Sequence, residues 1–562
     1  MHASRYSVSM NLTTPTAPPF DLSEWASKPF AERARMSVQA FGLIGSGMPL
    51  MVYVYYALKL AWYWAMWVFF CSFTEGLGSY SSASWWLTPI AFKKAIAWTT
   101  LYEVMGFGCG SGPLTGRIKP TIVAYRHWLR PGTTKLPLFE GAPVIGSIRR
   151  TPLDVALYVA LLVSLVRALI APDPGFEHWL PIIVVLPILG VLDKPIFLAA
   201  RGEHYWVTMV VFAFAGNWIA GAMVVQLALW LFAGVSKLNA YFPTVIAVMT
   251  SNSPFTPFEW LRRSMFRDYP NDMRPSKHAA AHAIAGATLE LGLPTVMLLA
   301  LYLESGLLLI VGLVMVVALH SFIVSNVPVG VPIEWNFMVA YGAFFLFGQN
   351  PHVLPHQVDS APVSALLALT CLVIPIYGNF VPSKVSFLLA MRYYAGNWPT
   401  SVWLFKGDSY RKLDKLTKTA AWIEDQIASM QSEDGDEDAV RFTLHGVVAF
   451  RLLHLHGRAI HSLLPELVDD IDEYTWADGE TIAGLSLGWN FGEGHLHNEQ
   501  LARALQAQCG FEPGEVRCIF LEAQPLFGSH QAYRLYDLAQ GELSRGDFPV
   551  SKMKELQPWP AQ

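Results

Sequence analysis

From residue 41 to residue 389 the chain is so apolar that its membrane-depth ionisable side chains can be named one by one. A helix needs about 20 such residues to cross a hydrocarbon core of about 30 Å at about 1.5 Å per residue, so a run of this length holds several crossings. Of all 562 residues, 53% are hydrophobic and 15% charged, with a mean hydropathy of +0.35, whereas soluble domains carry about 25% charge. A soluble enzyme, a disordered scaffold and a collagen-like fibre are excluded. The expected fold is an all-α polytopic membrane helix bundle of about eight spans with a C-terminal soluble α+β domain.

Spans are predicted at residues 48–73, 153–171, 180–200, 205–242 (long enough for a break or two passes), 279–303, 306–324, 333–347 and 363–391. Residues 85–104 carry Lys93, Lys94 and Glu103 and read as an interfacial or re-entrant helix. The organisation is a segment 1–40, a transmembrane domain 41–391 and a domain 392–562. Arg and Lys clusters in the 106–150 loop and just after the last span place the loop and both termini in the cytoplasm of a multi-pass inner-membrane protein, which requires an even span count. The glycines of GFGCGSGPLTGRIKP lack phosphate-loop spacing and read as a tight loop over helix ends. In the tail, helices are expected at 410–430, 447–464 and 499–508, with strands at 440–444, 481–487, 515–521 and 532–538.

Net charge is −4, which gives no footprint for nucleic acid. The five cysteines, an odd number without a C-x-x-C pair, do not form a disulfide framework.

Ionisable groups at membrane depth cost about 2.5–3.5 kcal/mol each and need a partner or a purpose. They are Arg167, Asp193, Lys194, Lys237, Glu290, His320 and Glu334. Arg167, Asp193 and Lys194 lie near span ends and are expected to have a structural role, by snorkelling or otherwise. Lys237 closes the uncharged run from Trp218 to Ser236, where it either snorkels or, desolvated, supplies a neutral amine as a base. Glu290 and His320 stand on consecutive spans, placed to tune that amine or to hold helices together. The long connection 239–278 is aromatic and reads as a cap over a cavity. In VPVGVPIEWNF two prolines interrupt the membrane pattern before Glu334, Trp335 and Asn336. The candidate catalytic residues are Lys237, Glu290 and His320; the candidate substrate contacts are Trp230, Asn239, Trp260, Glu334, Trp335 and Asn336.

His278 and His282, at i, i+4, suggest a metal-dependent membrane oxidase or desaturase. The pairs His454/His456 and His495/His497 lie in the tail on different faces and read as surface histidines, so no metal is expected.

FAGVSKLN, LELGLPTVMLL and VALHSFI, in that order, resemble the horizontally transferred transmembrane superfamily, to which vitamin K-dependent γ-carboxylase belongs. The likeness covers roughly residues 151–347. With GCGSGPLTGR and SNVPVGVPIEWN included, the whole chain resembles a family of large bacterial transmembrane proteins without an assigned activity. The carboxylase likeness implies that Lys237 deprotonates a reduced quinone of the menaquinol or vitamin K type, with Glu290 and His320 around it in a dry cavity. The tail does not resemble the carboxylase's peptide-binding portion, which leaves quinol-dependent or lipid-directed chemistry. A non-enzymatic lipid-binding or transport-accessory protein is the alternative, with membrane lipids as partners and the C-terminal domain as a surface for a protein partner.

Overall fold

The computed structural model describes residues 12–108, 124–143, 145–256, 258–326, 332–429 and 437–560. Most of the glycine-rich loop with Cys109, the two-proline segment as far as residue 331, and Glu433, Asp434 and Asp436 of the acidic run lie outside the described residues.

The chain begins with two helices, α1 (Leu22–Ala26) and α2 (Phe30–Ile44), which pack against the C-terminal domain. The bundle then forms as helical hairpins. The first is α3 (Leu50–Cys71) with α4 (Pro89–Val104). After the short α5 (Ala124–Trp128), the second is α6 (Pro152–Ile170) with α7 (Phe176–Leu192). Next come α8 (Lys194–Ala199), a π-helical turn (Gly202–Trp206) and α9 (Val207–Phe214), which pair with α10 (Trp218–Val235). The connection to the fourth hairpin holds α11 (Phe242–Asn252), α12 (Glu259–Ser264) and a small antiparallel pair, β1 (Phe266–Asp268) and β2 (Asp272–Pro275). Then follow α13 (Lys277–Tyr302) with α14 (Gly306–Val324), and finally α15 (Ile333–Ala343), extended by a π-helical segment to Gln349, with α16 (Ala361–Ala368) running through another into α17 (Ile374–Phe380).

Helix starts follow local chemistry. Thr151 and Asp154 form a capping box ahead of α6, with Pro152 in its first turn, and Ser276 caps α13. The five hairpin turns gather at one end. Thr74 Oγ1 donates to Pro172 O at 2.5 Å, and the Phe176 and Phe214 rings lie 5.4 Å apart. Asn217 N donates to Asp359 Oδ2 at 2.9 Å, and Tyr302 Oη meets His356 Nδ1 at 2.7 Å. The opposite helix ends abut the C-terminal domain, as when Leu526 N donates to Asn379 O at 2.8 Å.

Among the described residues five helical segments are long and apolar enough to cross a membrane: α6, α10, α13, α14 and Ala361–Phe380, with α7 shorter but apolar. The expected eight is therefore not reproduced by length and apolarity. Helix α4 is not interfacial. It is buried on all sides between α3, α6, α9 and α15, and Lys94 Nζ donates to Phe70 O at 2.8 Å. Its charges, read as a polar face, are internal contacts. The predicted 205–242 span divides at Ala215–Asn217 into two arms.

The C-terminal domain is a five-stranded antiparallel sheet, order β4-β3-β5-β6-β7, made of β3 (Thr400–Lys406), β4 (Tyr474–Asp478), β5 (Val516–Leu521), β6 (His530–Asp537) and β7 (Gly541–Pro549). Its helices are α18 (Ile423–Ala428), α19 (Glu437–Leu453), α20 (His456–Leu467), α21 (Gly479–Leu487), α22 (Glu499–Cys509) and α23 (Val550–Glu555). The strands expected at 440–444 and 481–487 are helical, within α19 and α21. Segment 481–487 is buried throughout, so its apparent alternation marked no sheet face. The helix expected at 410–430 is only a 3-10 turn (Ser409–Lys415) and α18.

Domain and bundle share a core. The chain leaving α17 stays buried through Phe387, Leu388, Met391 and Tyr393 into β3. Trp128 Nε1 donates to Leu487 O at 3.0 Å, Gln500 Nε2 to Pro137 O at 2.8 Å, and Tyr241 Oη to Gln531 Oε1 at 3.1 Å.

Candidate functional site

Lys237 follows the last turn of α10, and its ammonium is ion-paired with Glu290 of α13; the side chains are 6% exposed each. The close approach rests on Gly234, where a Cβ would come within 3.1 Å of Leu291 N and 2.9 Å of the Leu291 side chain. Lys237 Nζ also donates to Ala233 O at 3.3 Å. Phe242, at the start of α11, lies over the ammonium at 5.5 Å. The connection expected to form a cap is a folded layer of α11, α12 and the β1–β2 pair, and Phe242, not among the aromatics that suggested a cap, is the ring that lies over Lys237.

His320 is tied into a second set. Trp230 Nε1 donates to its Nε2 at 3.3 Å, which leaves Nδ1 to carry the hydrogen and donate to Asn336 Oδ1 at 2.8 Å. Asn336 Nδ2 donates in turn to Pro332 O at 2.9 Å. Both imidazole nitrogens are used, and three helices, α10, α14 and α15, are joined.

The neighbouring residues of α15 point into two further groups. Glu334 Oε1 accepts from Tyr102 Oη at 3.2 Å and from Lys59 Nζ at 3.0 Å. The Trp335 ring lies 4.7 Å from Tyr393 and beneath the Arg201 guanidinium at 5.7 Å. Tyr393 Oη bonds to Glu203, and Arg201 lies 4.0 Å from both Glu103 and Glu203. Three successive side chains at one helix start therefore serve three polar groups from different helices.

Two expected contacts stand elsewhere. Trp260 is 65% exposed on α12 and stacks on Phe258; an aromatic in a long loop carries no signal of which way it faces. Asn239 shapes the turn after α10, accepting from Tyr241 N at 2.7 Å and donating to Ser236 O at 2.5 Å. Asp193 and Lys194 do not snorkel. Asp193 pairs with Arg150 in full burial and Lys194 donates to Gln500. Two basic residues of the 106–150 loop, Lys135 and Arg150, are thereby consumed in buried pairs. The sequence reading omitted Lys59, Arg201, Glu203 and Tyr393. Lys59 carried a usable signal, a lone cation within the aromatic first span.

His278 and His282 face each other with ring centroids 4.3 Å apart, and among the described residues no group of three His, Cys, Asp or Glu is placed to hold a metal ion. The tail histidines are not superficial. His454, His456 and His497 are buried, and the break between α19 and α20 stacks His454 on His456 at 5.5 Å, where an unbroken helix would separate them. His495 lies between Glu493, 3.3 Å from Nδ1, and Glu522, 3.1 Å from Nε2. Burial opposes its charge, yet the two carboxylates outweigh burial and raise its pKa to about 9. Both carboxyls are held below the usual range: burial opposes this, and His495 overcomes it.

The bundle, its buried ion pairs and the docked α+β domain define a polytopic helical membrane protein. Over residues 10–562 the chain matches the family described as transmembrane protein of unknown function (DUF3556), and it belongs to that family. No curated protein and no solved structure matches it. The family match does not extend to the carboxylase superfamily, whose likeness rests on the three short elements alone.

Proposed function

We propose that the protein is an integral membrane enzyme that transfers a proton to or from a membrane-borne substrate, a reduced quinone or a lipid, with Lys237 and Glu290 as the acid–base pair. The observation that carries this reading is the burial of the two groups against each other under Phe242. Passage of the ammonium proton to the carboxylate leaves a neutral amine, the form that accepts a proton from a quinol hydroxyl or an acidic C–H. His320, with both nitrogens engaged, is a positioning residue that fixes α10, α14 and α15 around the pair. The protein works in this reading in the inner membrane, C-terminal domain in the cytoplasm, with that domain open to a protein partner.

The test is incubation of the full chain in lipid nanodiscs with menaquinol and dissolved oxygen as the oxidant, following quinol consumption above the protein-free autoxidation rate and lipid products. Wild type is expected to turn over, and Lys237→Arg, which keeps the charge but not the neutral amine, to be at least 100-fold slower. Equal turnover by the two proteins, or none by wild type, overturns the reading. The bond from Lys237 to Ala233 O at the end of α10 favours a second reading. There the pair is a structural clasp in a lipid-binding protein, and Arg substitutes freely.

A further inference from the structure

The π-helical turn Gly202–Trp206 and the first turn of α15 present a set of polar atoms left without hydrogen-bond partners among the described residues. These are Glu203 Oε2, His204 Nδ1, Tyr205 Oη, Glu334 Oε2 and Trp335 Nε1, on side chains of which each residue is at least 95% buried. A buried polar atom without a partner carries its full desolvation cost, and native proteins leave few. Here five occur on two short segments.

The two groups adjoin through α4: Tyr102 bonds to Glu334, and the next residue, Glu103, lies 4.0 Å from Arg201. The His204 ring meets Trp335 edge-on at 6.4 Å and lies 4.5 Å from that of Tyr205. Trp335 contacts Tyr393, which binds the other oxygen of Glu203. Tyr205 is within electrostatic range of Glu103, Arg201 and Tyr393. Glu334 uses only Oε1 on Tyr102 and Lys59, leaving Oε2 open. Backbone geometry aims these groups. Arg201 takes a left-handed φ of 52° immediately before the turn, a conformation uncommon outside glycine, and the π-turn presents Glu203, His204 and Tyr205 in succession. Such turns inside helices concentrate at functional sites.

We propose that these atoms form a binding site for the neutral, hydroxyl-bearing headgroup of a membrane molecule. The two open carboxylate oxygens accept hydrogen bonds from ligand hydroxyls, and the Tyr205 hydroxyl and Trp335 N–H donate to ligand oxygens. Around them the formal charges are Lys59 and Arg201 against Glu103, Glu203 and Glu334, a balance that disfavours a phosphate anion. A quinol and a hydroxylated lipid share the required chemistry. The site is distinct from the Lys237 pair and rests on the proposed function only for the membrane origin of its ligand.

Equilibrium binding to the full chain in nanodiscs tests this, with menadiol under anaerobic conditions and 1,2-dioctanoylglycerol as probes. Binding of menadiol identifies a quinol site and binding of dioctanoylglycerol a hydroxylated-lipid site. Tyr205→Phe removes a hydroxyl that has no partner among the described residues, so unliganded thermal stability is expected to be unchanged while probe affinity falls at least tenfold. Trp335→Phe is expected to weaken binding similarly. The proposed function is read by loss of turnover in Lys237→Arg and this site by loss of probe affinity in Tyr205→Phe, so the two readings fail separately. Failure of both probes to bind, or equal affinity in wild type and Tyr205→Phe, overturns the proposal.

Discussion

Lys59 Nζ lies 3.0 Å from Glu334 Oε1, joining α3 to α15 across 275 positions of sequence, with side chains 7% and 1% exposed. The pair has no counterpart in hydropathy, which records Lys59 only as a blemish in an aromatic span. Its charges are compensated by each other and by the Tyr102 hydroxyl. Removing one partner strands the other, which costs about 3–5 kcal/mol, whereas replacing both with apolar groups is close to neutral. Lys59→Met and Glu334→Leu should each lower the unfolding midpoint of the purified protein, and the double variant should recover most of the loss. Additive losses in the double variant would show that the contact is not the source.

The approach of α10 to α13 depends on Gly234 facing Leu291. Gly234→Leu should push the helices apart, cost about 1–3 kcal/mol by overpacking and break the Lys237–Glu290 pair. Unfolding midpoints compared with Gly234→Ala, which demands a smaller shift, check the size dependence; equal midpoints count against the packing argument.

Five hairpin turns at one end and a domain at the other require opposite sides of the membrane for the two ends. Single cysteines at Glu75, Asp173, Glu304 and His352 should react with an impermeant thiol reagent from one side of sealed vesicles, and one at Lys552 only from the other. Mixed sidedness among the first four would sink the arrangement.

His495 gives the domain a pH dependence. Its pKa is raised from 6.5 to about 9, so its contribution is fully present below about 6.5 and is lost as pH rises through about 9. Glu493 and Glu522 are lowered from 4.5, so theirs is present above about 4.5 and is lost as pH falls through their depressed values. Thermal stability of the full chain should therefore decline between about pH 6.5 and 9. His495→Gln should flatten that decline. A profile of unchanged slope in the variant assigns the dependence to other groups.

Much of the class was legible in the sequence. Apolar runs of about 20 residues give α6, α13 and α14 close to their observed bounds, because helix length across a bilayer is fixed by local composition. The same local logic located α22, β5 and β6 and singled out Lys237, Glu290, His320 and the Glu334-Trp335-Asn336 triplet as costly at their positions. Tertiary structure decided what those costs are matched against. Glu290 meets Lys237 only because Gly234 admits α13; His320 is satisfied by Trp230 and Asn336; Glu334 is matched by a lysine that belongs to the first hairpin. Helix α4 was misread because burial on every side erases the amphipathic period that distinguishes an interfacial helix from a core one. Strand β3 was missed for the matching reason: a fully buried central strand shows no alternation by which a strand is recognised. Periodicity reports a boundary between two environments, and where long-range packing surrounds an element completely there is no boundary for the sequence to record.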